Sequence, residues 1–120
     1  MPRGIHLIGD LYGCQLGSFV QKEEDLAPLV KLLAEYIVSS GLTVLGEVSY
    51  FFGPGAVTLS YILAESHLSF HTWPENDYVS LDVFTCNLEK DNTAATEDVF
   101  NYCCREIFHA TDDNKQVIYR

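Results

Sequence analysis

Apolar and polar positions recur along the chain with two different periods. Between residues 26 and 39, apolar side chains return every three or four positions, which predicts an amphipathic helix that ends before Gly41. A second helical pattern covers residues 99–108, followed by a predicted turn at Thr111–Asn114. Strict alternation at Tyr78–Cys86 is typical of a half-buried antiparallel strand. Other apolar or β-branched runs predict strands at residues 5–12, 43–52, 57–64 (continuing through residue 72) and 116–119.

The order of these elements is strand, helix, three strands, helix, strand. It predicts an α+β fold, a two-layer sandwich with a mostly antiparallel sheet and two helices packed on one face. A chain of 120 residues is long enough for one domain, so we expect residues 1–120 to fold together. The other face of the sheet would need a cover, which a second subunit could supply.

The net charge and the cysteine content restrict which binding partners and which cellular compartment we expect. The net charge of −10 argues against nucleic acid and anionic membranes, and it suits a small cationic substrate, although an acidic surface more often serves solubility. No apolar run reaches the ~18 residues of a membrane span. The start, Met1–Gly4, lacks the apolar region of a secretory signal, and the cysteines show no C-x-x-C spacing. We therefore expect a cytoplasmic protein with reduced thiols.

Groups capable of chemistry crowd into one stretch, Ala64 to Glu75. It holds a serine directly after a glutamate, two of the four histidines and the only tryptophan. Taken singly, Ser66 would be a turn residue, His71 a core histidine and Cys86 a small buried hydrophobe. Their occurrence together, at the end of an apolar strand, favours an active site.

The string E-S-H-x-x-x-H-T-W-P-E in this stretch resembles the self-processing site of the prokaryotic S-adenosylmethionine decarboxylase proenzymes. The likeness extends to Gly4–Cys14 and to Asp82–Cys86. Members of that family are pyruvoyl enzymes, in which the chain cuts itself before a serine and that serine becomes a pyruvoyl group. The resemblance implies that Ser66 is the precursor of a covalent pyruvoyl cofactor. A decarboxylase needs such an electron sink, and no lysine that could carry pyridoxal lies in the stretch.

The resemblance also implies roles for individual residues. An N-to-O acyl shift at Glu65–Ser66, followed by β-elimination, would leave a pyruvoyl group that forms a Schiff base with the substrate amine. His71 matches the processing base, and Thr58 matches a hydroxyl that steadies the intermediate. Cys86 matches the acid that returns a proton to the substrate after decarboxylation. The two product chains would be residues 1–65 and 66–120.

Four further residues match substrate contacts of the family. Phe52 takes the position of the aromatic ring that stacks on adenine, and Trp73 would add a second aromatic wall. Glu75 matches the carboxylate that bonds the ribose hydroxyls, and Asp10 would face the substrate cation. Flat rings and carboxylates suit a nucleoside that carries a sulfonium charge.

The segment before Thr58 departs from the family pattern. The family reads F-H-x-F-x-P-x-G where this chain reads S-Y-F-F-G-P-G-A over Ser49–Ala56. Tyr50 replaces the histidine and Ala56 the last glycine, while Phe52 and Pro54 remain. Because this segment lines the nucleoside side of the pocket in the family, the departures concern the substrate more than the self-cleavage.

Three functions therefore stay open from the sequence. The first is decarboxylation of S-adenosylmethionine for polyamine (spermidine) biosynthesis, and the second is the same pyruvoyl chemistry on ornithine or arginine. The third is an uncleaved homologue that binds a small molecule without catalysis. The resemblance further implies a homodimer of cleaved protomers.

Spacing along the extended chain bears on two further points. His67 and His71 would stand on the same face of a strand but ~13 Å apart, too far to share one zinc ion, so we predict no metal site. The same alternation sets Ser66 and His71 on opposite faces. We therefore predict that the backbone bends near Ser66.

Overall fold

Six strands form one sheet in the computed structural model, which describes residues 3–120. Every described strand pair is antiparallel, and the order across the sheet is second, third, fourth, fifth, first, sixth. The strands are β1 (Gly4–Tyr12), β2 (Val44–Gly53), β3 (Ala56–Leu63), β4 (Ser66–Trp73), β5 (Tyr78–Cys86) and β6 (Asp112–Tyr119). The helices are α1 (Leu26–Ser39) and α2 (Thr93–Tyr102), the latter continued by a π-helical turn at Cys103–Ile107.

Both helices pack against the same face of the sheet. α1 buries Leu33 and Ile37 there, and α2 buries Val99 and Phe100. These side chains join one apolar cluster with alternate residues of the strands. The α+β sandwich predicted from the sequence is therefore confirmed. The strand residues in that cluster include Ile5, Leu7, Val57, Leu59, Tyr61, Leu68, Phe70, Val79, Leu81 and Val83.

The opposite face of the sheet, which we call the open face, carries the remaining strand residues. No element among residues 3–120 covers it. On its β2–β3 side, Val48, Tyr50, Phe52 and Ile62 are 57–65% exposed, which is unusual for large apolar side chains that lie next to one another. Polar and aromatic open-face residues of the central strands include His6, Asp10, His67, Ser69, His71, Trp73, Tyr78, Ser80, Asp82 and Phe84.

The third predicted strand is in fact a hairpin. The chain turns at Ala64 and Glu65, and Ser66 begins β4 paired with β3, so the prediction of one strand through residue 72 was wrong. The two turn residues include no Gly, Pro, Asn or Asp, so they carried no turn signal. Long-range hydrogen bonds hold the turn instead, because Thr43 donates its N–H to the Glu65 carboxylate (2.9 Å) and accepts from the Ala64 N–H (2.9 Å).

The last strand is also longer than predicted. It begins at Asp112 and pairs with β1 along its whole length, so the predicted turn at Thr111–Asn114 was wrong from residue 112 onward. All eight side chains of this edge strand are exposed, so no alternation of burial marks it in the sequence. The second helix begins at Thr93, whose N–H bonds the Asp91 carboxylate (2.9 Å). Its first turn, Thr93–Thr96, holds no large apolar residue, so the apolar pattern could not reveal it. Among residues 3–120 no helix is both long and apolar enough to span a bilayer.

Candidate active site

The peptide bond between Glu65 and Ser66 lies where the β3–β4 hairpin turns. The carbonyl oxygen of Glu65 accepts a 2.8 Å hydrogen bond from the N–H of Cys86, the last residue of β5. The Cys86 carbonyl in turn accepts 2.8 Å from the side-chain amide of Asn92. Both backbone polar groups of Cys86, the N–H that meets the Glu65 carbonyl and the C=O, are therefore held by hydrogen bonds.

The backbone of Ser66 is irregular at this point. Its φ of 154° falls in a range that residues with a Cβ rarely adopt. Such conformations cost on the order of 1–3 kcal/mol and persist only where surrounding contacts impose them. The bend predicted near Ser66 is confirmed, and it lets the hydroxyl oxygen reach Nδ1 of His67 at 3.2 Å on the open face.

Glu65 lines a cleft of about 470 Å³. Cys86 lines it and is half-buried. The other lining residues are Ala64, Leu88, Glu89, Lys90 and Asn92. We call Glu65, Ser66 and Cys86 the cleavage end of the sheet.

A cluster of His67, Asp82 and His6 adjoins Ser66. Nε2 of His67 lies 3.4 Å from one carboxylate oxygen of Asp82, and Nε2 of His6 bonds the other. The three potential ligand atoms lie within 4.8 Å of one another. Because each carboxylate oxygen already accepts from an imidazole, we assign the cluster as a hydrogen-bonded network. Sequence reasoning missed it because its members lie on three strands that become neighbours only in the folded sheet.

Thr58 and His71 form a second polar group on the open face. They are direct partners on β3 and β4, and the Thr58 hydroxyl is hydrogen-bonded to Nδ1 of His71. His71 follows Ser66 by five residues on an extended strand, so the two residues are roughly 16 Å apart. Within one chain, therefore, the structure brings Glu65, Ser66 and Cys86 together but leaves the predicted processing base and its hydroxyl far away.

Aromatic rings surround His71. The Phe52 ring lies 5.5 Å and the Trp73 ring 4.1 Å from the imidazole, both edge to face. Tyr78 stacks on Trp73 at 5.1 Å and extends the row across the sheet. We call Phe52, Thr58, His71, Trp73 and Tyr78 the aromatic end of the sheet.

The aromatic end also has acidic neighbours. The hydroxyl of Tyr78 donates to the carboxylate of Asp10, and this bond, followed by burial, raises the pKa of Tyr78 to about 12. Glu75 is exposed in the 3-10 turn Pro74–Asn76 that follows Trp73. The four residues predicted to bind substrate thus lie at or beside the aromatic end. Tyr78 was missed, although its place five residues after Trp73 across a turn could have suggested it.

Comparison with known proteins identifies the family. A sequence model described as S-adenosylmethionine decarboxylase matches residues 5–120. The chain belongs to this family. The family predicted from the E-S-H string is therefore confirmed.

Relatives of the family resemble the chain along most of its length. The S-adenosylmethionine decarboxylase proenzyme of Pyrobaculum aerophilum is 41% identical over 93 residues, which are 77% of this chain and 71% of the relative. The proenzyme of Thermoplasma volcanium is 34% identical over 115 residues, which are 96% of this chain and 82% of the relative. The crystal structure of the adenosylmethionine decarboxylase of Aquifex aeolicus superposes with a TM-score of 0.80 at 29% identity, covering 99% of this chain and 91% of that one.

Proposed function

We propose that the chain is a pyruvoyl-dependent S-adenosylmethionine decarboxylase, a carboxy-lyase that serves polyamine (spermidine) biosynthesis. The observation that carries the proposal is the hydrogen bond from the Cys86 N–H to the Glu65 carbonyl, directly before Ser66, whose hydroxyl lies 3.2 Å from Nδ1 of His67. The relatives described above are named for S-adenosylmethionine. The ornithine, arginine and non-catalytic alternatives have no such support.

The residues of the cleavage end fit a pyruvoyl group. Its precursor would be Ser66 itself, which starts a strand next to a cleft and has an unusual backbone conformation. We propose that residues 1–120 are one self-processing domain and that the cut divides it into residues 1–65 and 66–120. A cut at a hairpin turn leaves β3 and β4 paired, so the new chain end stays where it was made.

Self-processing would begin with the Ser66 hydroxyl. Its oxygen attacks the carbonyl carbon of Glu65, and the carbonyl oxygen gains negative charge as the new C–O bond forms. The Cys86 N–H already points at that oxygen, and a preorganised donor of this kind stabilises the charge without reorganisation. When the C–N bond breaks, an ester remains, and removal of the Ser66 α-proton by His71 would release the Glu65 carboxylate. The resulting enamine isomerises and reacts with water, which frees ammonia.

Decarboxylation would use both ends of the sheet. A pyruvoyl group supplies a ketone that takes up the substrate amine and the electron pair left by CO2. The Cys86 thiol would then deliver a proton to the substrate carbon. Phe52 and Trp73 would hold the adenine between flat rings, with Glu75 on the ribose and Asp10 near the sulfonium cation.

A second copy of the chain would complete this site. Ser66 and His71 are roughly 16 Å apart in one chain, and the open face that carries both has exposed apolar residues and no cover among residues 3–120. In an isologous pair, residue i of one copy meets residue j of the other and the reverse. We therefore propose a homodimer that pairs two open faces with opposed strand directions, so that the aromatic end of each copy meets the cleavage end of the other.

The proposed compartment follows from the thiol. A half-buried Cys86 that must carry a proton has to stay reduced, which is the rule in the cytoplasm. We therefore propose a cytoplasmic enzyme.

The deciding experiment is intact mass followed by an assay of CO2 release. We expect two chains, residues 1–65 and 66–120, with the second lacking a free amine, and CO2 release from S-adenosylmethionine well above that from ornithine or arginine. Ser66→Ala should remain a single chain with no activity. An uncut wild-type chain would overturn the proposal, whereas a cut chain that prefers ornithine or arginine would overturn only the substrate.

A further inference from the structure

We propose that His67 is a catalytic base of self-processing, and that Asp82 and His6 are positioning residues that act through it. The inference rests on the proposed cut at Glu65–Ser66 and assigns the group that takes the serine hydroxyl proton in the first step. It is carried by a chain of contacts from the Ser66 hydroxyl through His67 to Asp82 and on to His6.

The carboxylate fixes which nitrogen of His67 bears hydrogen. An ionised carboxylate only accepts hydrogen bonds, so Nε2 of His67, 3.4 Å from Asp82, is the protonated nitrogen. In the neutral ring, Nδ1 then has a free lone pair, and it lies 3.2 Å from the Ser66 oxygen. That distance is within the reach expected of a general base, and the hydroxyl is therefore the donor.

His6 holds the carboxylate in place from the other side. Its Nε2 bonds the second oxygen of Asp82, and its side chain is only 14% exposed, compared with 38% for His67 and 40% for Asp82. The His6 ring also stacks on Phe84 at 5.0 Å, which restricts its rotation. Asp82 is thus oriented by a packed residue, and it in turn orients the more exposed imidazole next to Ser66.

The proposed step balances without an outside reactant. The Ser66 oxygen forms a bond to the carbonyl carbon of Glu65 while its proton passes to Nδ1 of His67. The negative charge on the Glu65 oxygen faces the Cys86 N–H. When the bond from that carbon to the Ser66 nitrogen breaks, His67 returns the proton to the nitrogen, which leaves as a free amine on the ester.

This assignment gives the two histidines of the E-S-H-x-x-x-H string separate tasks. His67 contacts the serine hydroxyl of its own chain, whereas His71 is five residues farther along β4. His67 would therefore serve the acyl shift, and His71 of a second copy the later removal of the α-proton. The difference is measurable, because a block before the shift leaves an amide and a block after it leaves an ester.

The test compares His67→Asn with His71→Asn and with the control His109→Asn, whose exposed side chain lies between α2 and β6. Asparagine keeps a hydrogen-bonding side chain but has no basic nitrogen. We expect cleavage of His67→Asn to be at least ~10²-fold slower than wild type, the usual contribution of a general base. Hydroxylamine, which cleaves esters much faster than amides, should not restore a cut in this variant. Hydroxylamine should cut His71→Asn after residue 65. The control His109→Asn should cleave itself at the wild-type rate.

Asp82→Asn provides a second, independent test. Its amide can donate to Nε2 of His67, which would move the ring hydrogen to Nδ1 and remove the base without removing the imidazole. We expect a slow, hydroxylamine-resistant chain whose circular dichroism matches that of Ser66→Ala. Cleavage of either variant at the wild-type rate, or an ester that hydroxylamine cuts in His67→Asn, would overturn the inference. If wild type itself stays uncut, the proposed function fails instead.

Discussion

The N–H of Cys86 donates a 2.8 Å hydrogen bond to the carbonyl oxygen of Glu65, and so joins the end of β5 to the turn between β3 and β4. Cys86 and Glu65 also both line the cleft of about 470 Å³ at this end of the sheet. In the proposed mechanism, the backbone of Cys86 would act when the cofactor is made, and its thiol would act when the cofactor is used.

Substitution at Cys86 should separate these steps. Cys86→Ala keeps the N–H, so we expect it to cleave itself, while CO2 release falls by ~10²-fold because the proton donor is gone. Cys86→Pro removes the N–H, and we expect cleavage to slow by ~10²-fold or more, as for loss of one oxyanion donor. Intact mass measures the extent of cleavage, and the assay of CO2 release measures the activity of the cleaved enzyme. Cleavage of Cys86→Pro at the wild-type rate would contradict the role of the backbone.

Complementation should reveal the second copy. In the proposed mechanism, Ser66→Ala cannot be cut but keeps His71, whereas His71→Ala keeps Ser66 but lacks the proposed processing base. In mixed dimers we expect the His71→Ala chain to be cut, because the other copy supplies the histidine. Coexpression with tags of different mass measures this directly. If the site were complete within one chain, the mixture would stay uncut, as each variant does alone.

Thiol labelling should single out Cys86. Burial raises the pKa of Cys14 to about 11 and that of Cys104 to about 11, and Cys103 is fully buried with its pKa raised as well. At pH 7 these three thiols stay protonated and unreactive. We therefore expect iodoacetamide to modify Cys86 first and to abolish CO2 release in step. Peptide mapping identifies the site, and Cys86→Ala should show almost no labelling over the same time.

The Phe52 ring should matter for substrate binding but not for the cut. It is 59% exposed and lies on the rim of the aromatic end. Loss of one ring stacked on a base costs ~1–3 kcal/mol, so Phe52→Ala should raise the KM for S-adenosylmethionine by about tenfold or more. Phe52→Leu keeps apolar area without a flat ring and should show nearly the same defect if stacking is the cause. A normal KM in both variants would remove Phe52 from the site.

The Tyr78–Asp10 hydrogen bond should stabilise the fold at neutral pH, and this contribution should be lost at high pH. Because the pKa of Tyr78 is raised to about 12 from an ordinary value near ~10, its contribution is complete below pH ~10 and is lost as the pH rises through about 12. In a Ser66→Ala background, Tyr78→Phe should lower the free energy of unfolding by about 1 kcal/mol at pH 8. Urea unfolding of both chains should show this difference shrink between pH ~10 and about 12, and a constant difference would exclude the bond as its source.

Periodicity in the sequence was enough for the layered fold. The helical repeat at residues 26–39 and the alternation at Tyr78–Cys86 match α1 and β5 because one face of each is buried. Ala64 and Glu65 escaped prediction because distant hydrogen bonds, rather than turn residues, bend the chain there. The first half of β6 escaped because none of the side chains in this strand is buried.

The candidate site, like the fold, has one part that the sequence predicted and one part that it could not. The string around Ser66 was recognisable because its residues are close in sequence, and the family it indicated is confirmed. His6 and Asp82 are 76 residues apart and meet only because β1 and β5 pair in a particular register. No local pattern indicates such a meeting.

A cut after Glu65 would also change how unfolding limits the lifetime of the folded protein. Before it, the chain can unfold and refold as one molecule, so its lifetime is governed by an equilibrium. Afterwards the two pieces would be held only by strand pairing and packing, and unfolding would let them diffuse apart. Reassembly would depend on concentration, and a spent Ser66 could not be regenerated. The lifetime of the mature enzyme would therefore be set by its rate of unfolding rather than by its stability at equilibrium.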